Sequence, residues 1–177
     1  DRHLDRLRAS MRALYGRDLP PLDIAPALPG AGRLRLLADP DGRVSVETGP
    51  PAGTGPESLE PVTVPGGLGA HKWRDRRWLD ALSAAVAPAQ PLLVDLDGYM
   101  LEAANAALLI VTDDGTLVAP PLDGRILPSV TRARAIEDAH AQGTRIVIRP
   151  VLLSELATAR EVILRAARRF GLEDVAV

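Results

Sequence analysis

Cysteine is absent from this chain of 177 residues, which excludes disulfides, thiolate nucleophiles and cysteine-ligated metal sites. A surplus of positive charge is also absent, since the formal net charge is −2, so no nucleic-acid or anionic-membrane partner is expected. No apolar run approaches the roughly 20 residues that span a bilayer, and no signal peptide opens the chain. These absences predict a soluble, cytoplasmic protein whose length allows one sizeable core or two small ones.

Lysine is nearly absent as well. Lys72 is the single lysine among the 21 lysine and arginine residues, a bias that fits GC-rich coding. A lysine amine can lose its proton, attack a carbonyl and form a Schiff base, whereas the guanidinium of arginine stays protonated. Lys72 is therefore a candidate nucleophile, and on composition alone the chance survival of one lysine explains it equally well.

Other kinds of site have weak signals. The three histidines, His3, His71 and His140, lack metal-ligand spacing and fit solvated or helix-face positions, so no metal is predicted. No serine lies in a G-x-S-x-G elbow, which argues against a serine hydrolase. The glycine-rich stretch 66–69 lacks the spacing of a dinucleotide fingerprint and is interpreted as a flexible linker between domains.

Hydrophobic periodicity predicts an α+β fold with a mixed sheet or barrel covered by helices. Leucine and methionine residues mark one face of a first helix over 2–15, and further helices are predicted at 74–87, 131–142 and 153–158. Strands are predicted at 33–38, 43–48, 61–65, 91–96, 99–102, 107–112, 116–119, 145–149 and 161–165. A stretch rich in proline and glycine between about 49 and 66 is expected to separate two domains, 1–60 and 61–177.

Two short segments carry polar groups that suit a ligand. The Pro-Ser-Val-Thr turn at 128–131 opens a helix, where backbone N–H groups and a hydroxyl suit a phosphate. On local sequence the preferred interpretation is an ordinary N-cap by Ser129 or Thr131. Glu102 closes a strand and is followed by small residues, so its carboxylate could lie under a flat ligand. A charge on an edge strand explains Glu102 equally well.

Taken together and in order, five motifs resemble those of the class IV aminotransferase family of pyridoxal-phosphate enzymes, which have fold type IV. The motifs are His3-Leu4-Asp5-Arg6-Leu7 with Ser10, Gly69-Ala70-His71-Lys72 with Asp75-Arg76, Asp97-Gly98-Tyr99-Met100-Leu101-Glu102, Pro120-Pro121-Leu122 with Ile126-Leu127-Pro128-Ser129-Val130-Thr131-Arg132, and Glu161-Val162. The resemblance implies a small N-terminal α/β domain over 1–60 that lacks its first strands. It implies a larger cofactor-binding domain over 61–177, with a mixed sheet or pseudo-barrel.

The resemblance also implies roles for individual residues. Lys72 would hold pyridoxal 5'-phosphate through a Schiff base and then move protons. Glu102 would pair with the pyridine nitrogen, while Arg6, Val130 and Thr131 would bind the phosphate. Members of this family act on small amino substrates and usually dimerise, so a homodimer is expected.

Within the family, the chain most resembles the aminodeoxychorismate lyases. Arg77 stands where branched-chain aminotransferases commonly have a tyrosine, the pair Asp75-Arg76 is closer to the lyase pattern, and Ala167 stands where many aminotransferases have a threonine. These positions imply a lyase of folate biosynthesis that converts 4-amino-4-deoxychorismate to 4-aminobenzoate and pyruvate. A branched-chain or D-amino-acid aminotransferase is the alternative. Because Ala107 and Arg165 depart from the family pattern, a catalytically degenerate homologue or part of a larger fusion is the third interpretation.

Overall fold

The computed structural model describes residues 1–22, 33–50, 58–165 and 172–176. Its elements in chain order are α1 (Arg2–Tyr15), β1 (Arg33–Ala38), β2 (Val44–Gly49), β3 (Leu59–Thr63), α2 (Arg77–Ala85), β4 (Gln90–Val94), β5 (Met100–Ala103), β6 (Ala107–Val111), β7 (Leu117–Ala119), α3 (Val130–Ala141), β8 (Ile146–Ile148), a 3₁₀ helix (Leu153–Ala157), β9 (Glu161–Arg165) and β10 (Leu172–Ala176).

The described residues form two compact units. Unit 1 contains 1–22, 33–50, 71–76 and 172–176, and unit 2 contains 58–70 and 77–165. The domain boundary expected at residues 60 and 61 stays a prediction. The short segment around Lys72 belongs to unit 1, although the residues on both sides of it in sequence belong to unit 2.

Unit 1 is a three-stranded sheet with one helix packed against it. β1 is the central strand, antiparallel to β2 and parallel to β10. α1 begins at Asp1, whose side chain accepts the His3 N–H at 2.8 Å, and ends at Gly16, whose φ of 62° is the left-handed conformation that favours glycine. The helix covers the residues predicted for it, 2–15, and its apolar face packs on β1. The buried cluster comprises Leu4, Leu7, Met11, Leu19, Leu36 and Ala38.

Unit 2 contains two sheets that share a core. One sheet has the strand order β3-β4-β5, and the other has the order β8-β7-β6-β9 with both parallel and antiparallel pairs. Their common buried cluster comprises Leu92, Val94, Met100, Leu108, Ile110, Val118 and Val151. α3 contacts β6, β8 and β9, and α2 contacts β4. β4, β5 and β6 are buried along most of their length, so the polar groups at their ends are attached to strands of the core.

The prediction of an α+β fold with mixed sheets is confirmed. Most elements begin and end within about two residues of their predicted bounds. The helix expected over 74–87 covers only Arg77–Ala85. Residues 74–76 belong instead to the segment in unit 1, where Arg74 bonds to Asp39. The segment expected as a short helix over 153–158 is a 3₁₀ helix. β10 was not predicted, since the strand partner that defines it, β1, is distant in sequence. Ala167 lies outside the described residues.

Candidate functional site

Lys72 lies half-buried in the segment 71–76 of unit 1. The residue before it, His71, places its Nδ1 atom 3.0 Å from the Oγ atom of Ser10 in α1. Two residues after Lys72, Arg74 donates from Nη1 to Oδ1 of Asp39, at the end of β1, over 2.7 Å. The candidate nucleophile is thus bracketed by two side-chain contacts to unit 1. The sequence predicted a solvated or helix-face histidine, but His71 is half-buried outside any helix, and its ring is hydrogen-bonded to a buried serine.

Arg6, the predicted phosphate ligand, is half-buried on α1. Ser10 lies four residues later, so the two residues share a face of the helix, one turn apart. The structure therefore connects Lys72 to the helix that carries Arg6, and the connection runs through His71 and Ser10.

Glu102 lies in β5 of unit 2, and only 8% of its surface is exposed. Its Oε1 atom accepts the backbone N–H of Leu127 at 3.3 Å. Glu102 does lie on an edge strand, β5, which is one of the two positions that the sequence allowed. Its carboxylate is nevertheless buried, and it has a hydrogen-bond partner there. Leu127 lies two residues before Ser129, the N-cap of α3. Its hydrogen bond therefore links the buried carboxylate to the start of α3.

The start of α3 is a capped helix N-terminus. Ser129 is the N-cap, with φ −68° and ψ 128°, and its Oγ accepts the Arg132 N–H at 3.2 Å. The Oγ atoms of Ser129 and Thr131 lie 2.9 Å apart. The N-cap interpretation is confirmed. Val130 and Thr131 occupy the first turn of α3, where the helix dipole favours an anion.

Arg132 connects the first turn of α3 to the chain after β7. Its side chain is buried, and Nη2 donates to the carbonyl oxygen of Pro120, just after β7, over 2.7 Å. Burial lowers the pKa of Arg132 from its usual value by penalising the charged form. The hydrogen bond ties the first turn of α3 to the end of β7, which holds Val130 and Thr131 in place.

Asp95 and Arg125 form a further polar cluster that the sequence analysis did not single out. Arg125 donates to Asp95 from Nη1 over 2.7 Å and to Asp123 from Nε over 3.0 Å. The other carboxylate oxygen of Asp95 accepts the Gly66 N–H at 3.1 Å, and the Arg125 carbonyl accepts the Gly69 N–H at the same distance. The glycine-rich stretch is thus fixed by specific hydrogen bonds, where the sequence predicted a flexible linker.

These contacts shift the ionisation of both partners. The pKa of Asp95 lies below its ordinary value, first because Gly66 N–H donates to it and then because Arg125 does. The pKa of Arg125 is raised by its hydrogen bonds to Asp123 and then to Asp95. No motif marks Arg125 in the sequence. Asp95 directly follows β4, and a carboxylate at a strand end is the one signal that could have drawn attention to it.

The residues proposed from the sequence therefore fall into two groups. Lys72 and Arg6 lie in unit 1, while Glu102, Val130 and Thr131 lie in unit 2. Among the described residues, no group of three or more histidine, aspartate or glutamate side chains is arranged to hold a metal ion. No helix in the described part of the chain is long and apolar enough to cross a membrane.

Comparison with solved structures supports the fold assignment. A protein provisionally named a 4-amino-4-deoxychorismate lyase, from Haemophilus somnus 129pt, aligns with a TM-score of 0.70 at 20% identity, over 94% of this chain and 87% of that one. The 4-amino-4-deoxychorismate lyase from Pseudomonas aeruginosa aligns with a TM-score of 0.59 at 26% identity, over 77% and 57%. A hypothetical aminotransferase from Mycobacterium tuberculosis, in its PLP-bound form, aligns with a TM-score of 0.58 at 20% identity, over 75% and 54%.

Comparison with curated sequences gives a shorter match. The chain is 36% identical over 62 residues to branched-chain-amino-acid aminotransferase 5, chloroplastic, from Arabidopsis thaliana. That match covers 35% of this chain and 15% of the relative. The chain thus spans about half the length of two of the structures above and a small part of this curated relative.

The family itself is identified by a sequence model. The model of amino-transferase class IV matches residues 75–169, which is more than half of the chain. The match contains Glu102, Val130 and Thr131, and it begins just after Lys72. The prediction of the family is confirmed: this chain belongs to the amino-transferase class IV family.

Proposed function

We propose that this chain binds pyridoxal 5'-phosphate and acts on a small amino compound as a 4-amino-4-deoxychorismate lyase, forming 4-aminobenzoate and pyruvate. The observation that carries the proposal is the buried carboxylate of Glu102, which accepts the Leu127 N–H at 3.3 Å. That N–H belongs to the loop that runs into the capped N-terminus of α3. Membership of the class IV family and the 26% identity to the Pseudomonas lyase support it.

The donor set within unit 2 fits the two polar ends of this cofactor. A buried carboxylate suits a protonated pyridine nitrogen, because opposite charges attract more strongly where little water screens them. The first turn of α3 suits a phosphate, since it offers backbone N–H groups, the positive end of a helix dipole and the hydroxyl of Thr131. Glu102, Val130 and Thr131 would hold the cofactor from unit 2.

Two further candidate residues lie in unit 1. Lys72 is the single lysine of the chain, and its amine would hold the aldehyde carbon of the cofactor covalently. Arg6 would bind phosphate oxygens, for which a guanidinium has matching geometry. Both side chains are half-buried, which suits groups that must meet a ligand from solution.

When bound, the cofactor supplies an electron-withdrawing ring that stabilises negative charge at the neighbouring substrate carbon. The chain's own residues then have separate tasks. Glu102 would hold a proton on the ring nitrogen, and Arg6, Val130 and Thr131 would bind the phosphate. Lys72 Nζ would take a proton from the substrate and return it, acting as a general acid and base.

The choice of a lyase over an aminotransferase depends on residues beside Lys72. Arg77, the first residue of α2, stands where branched-chain aminotransferases commonly have a tyrosine, and Asp75 and Arg76 resemble the lyase pattern. The match to the Arabidopsis aminotransferase, at 36% identity over 62 residues, keeps transamination as the second candidate. A small amino substrate, a homodimeric assembly and a cytoplasmic location complete the proposal.

Visible absorbance tests the cofactor assignment. The purified protein mixed with pyridoxal phosphate should develop a band that borohydride removes, and Lys72→Ala should lack it. Lys72→Arg is the matched control, because it keeps the positive charge and cannot form the covalent bond. A wild-type protein without such a band, or a Lys72→Arg variant that retains it, contradicts the proposal.

The reaction is tested separately. A lyase should release pyruvate from 4-amino-4-deoxychorismate without any amino acceptor. An aminotransferase should instead require a keto acid and produce the corresponding amino acid. Production of an amino acid with no pyruvate release would replace the first candidate by the second.

A further inference from the structure

The segment 71–76 is held to unit 1 by contacts of unequal strength. The side chains of Arg74 and Asp39 are 53% and 41% exposed, so their ion pair is a surface contact that contributes little to stability. Ser10 is only 5% exposed, and its hydroxyl lies 3.0 Å from Nδ1 of His71. Leaving a buried hydroxyl without its hydrogen-bond partner destabilises a protein more than breaking a surface ion pair does. Of these two side-chain contacts, the one between His71 and Ser10 is therefore the stronger attachment of the segment to unit 1.

This contact joins two residues of the proposed site. His71 directly precedes Lys72, and Ser10 lies one helical turn after Arg6 on the same face of α1. Any movement of His71 away from Ser10 changes the distance between the lysine amine and the arginine guanidinium. We propose that Ser10 and His71 are positioning residues, which set the spacing of Lys72 and Arg6 so that one ligand can meet both. This inference rests on the proposed function.

The geometry also specifies which histidine nitrogen matters. Nδ1 is bonded directly to the ring atom Cγ, so an asparagine amide places a polar atom at nearly the same position. A glutamine amide lies one bond farther along the side chain and corresponds to Nε2. His71→Asn should therefore preserve the contact with Ser10, and His71→Gln should lose it.

The single lysine permits a direct measurement that does not depend on turnover. Pyridoxal phosphate and pyridoxal, which lacks the phosphate, are each incubated with the protein and trapped on amines by borohydride. Peptide mass mapping then separates label on Lys72 from label on the N-terminal amine. The ratio of the two aldehydes trapped on Lys72 reports how well the phosphate is bound while the amine reacts.

We expect wild type to trap pyridoxal phosphate in strong preference to pyridoxal. Ser10→Ala and His71→Gln should lower that preference by about 3- to 10-fold, the loss of one hydrogen bond, while trapping of pyridoxal changes little. His71→Asn should retain the preference. Asp39→Asn, which removes the exposed ion pair with Arg74, is the matched control and should behave as wild type. His71→Asn and His71→Gln keep the test decisive if Ser10→Ala fails to fold.

The outcomes separate this inference from the proposed function. If wild type shows no preference for pyridoxal phosphate at Lys72, the proposed function fails. If wild type shows the preference and His71→Gln retains it, the positioning role is overturned while the function stands. Equal loss of both aldehydes in His71→Gln, with a lower melting temperature, also overturns it, since a purely structural contact would have that effect.

Discussion

Arg125 and Asp95 are joined by a hydrogen-bonded ion pair, with Nη1 of the arginine 2.7 Å from Oδ2 of the aspartate. Both residues also bind the glycine-rich stretch that leads to Lys72. Asp95 Oδ1 accepts the Gly66 N–H, and the Arg125 carbonyl accepts the Gly69 N–H. The pair therefore fixes two ends of one stretch of backbone, and it fixes the loop whose Leu127 N–H reaches Glu102.

The charge of Asp95 should make unit 2 sensitive to acid. The pKa of Asp95 is lowered from its ordinary 3.8, so the carboxylate stabilises the folded protein above that value. This contribution is lost as the pH falls from about 3.8 through the lowered pKa. Asp95→Asn should reduce the melting temperature at pH 7, and the difference from wild type should shrink below about pH 3.8.

Thermal unfolding from pH 7 to pH 3 measures this effect. Asp113→Asn is the matched control, since Asp113 lies exposed in the turn between β6 and β7 and should leave the melting temperature unchanged. A difference between Asp95→Asn and wild type that stays constant down to pH 3 would show that the charge of Asp95 contributes nothing.

Gly67 should tolerate no side chain. Its φ is +69°, and a Cβ built on it would lie 2.1 Å from the carbonyl oxygen of Arg125 and 3.1 Å from Cδ1 of Leu101. Since Gly66 has a similar φ of +72° with nothing within 4 Å, Gly66→Ala provides the matched control. Gly66→Ala should cost about 1–2 kcal/mol of unfolding free energy for the left-handed backbone. Gly67→Ala should cost clearly more, because the backbone of Arg125 must also move.

Chemical denaturation of the two variants gives the comparison. If both glycine variants lose the same free energy of unfolding, the close approach of Gly67 to Arg125 does not contribute to the stability of the protein. The segment would then be an ordinary turn.

Local patterns in the sequence were enough to predict most elements. The helix over 2–15 follows from apolar spacing and from Gly16 at its end, and its bounds agree with the structure. The hairpins β1-β2, β4-β5 and β6-β7 follow from short glycine-containing turns between strands, as at Asp39–Gly42. These features depend on residues close together in the chain.

Contacts between distant residues could not be predicted in the same way. β10 pairs in parallel with β1, and Arg125 meets Asp95 across 30 positions, so no local pattern contains either contact. The burial of Glu102 is another example, because a lone acid after a strand is compatible with both a solvated and a buried position. The family motifs pointed to Glu102 and Lys72, but they did not predict the contacts of Glu102 with Leu127 or of His71 with Ser10.

Ser129 allows the helix cap to be separated from phosphate binding. Ser129→Asp keeps an oxygen that can accept the Arg132 N–H, so the free energy of unfolding should stay near that of wild type. The added negative charge should weaken pyridoxal phosphate binding by about 10-fold or more, because it repels a phosphate at the same helix end. Ser129→Gly should cost only a few tenths of a kcal/mol and leave binding intact.

Denaturation curves and a cofactor titration on the same samples measure both quantities. Ser129→Asp that binds pyridoxal phosphate as tightly as wild type would exclude the α3 N-terminus as the phosphate site. The proposed roles of Val130 and Thr131 would then fall, whatever the stability of the variant.

Glu102→Gln should separate charge from packing at the buried carboxylate. A glutamine amide has nearly the same shape, and its oxygen can still accept the Leu127 N–H, so the variant should fold with little loss of stability. Without the negative charge, a proton on the ring nitrogen of the cofactor is no longer held, and turnover should fall by about 100-fold or more. Glu60→Gln, at an exposed position on β3 of the same unit, is the matched control and should keep full activity. The decisive comparison is turnover at saturating cofactor, because a loss that excess pyridoxal phosphate restores would assign Glu102 to binding alone. If Glu102→Gln keeps wild-type turnover, the carboxylate does not act on the ring nitrogen.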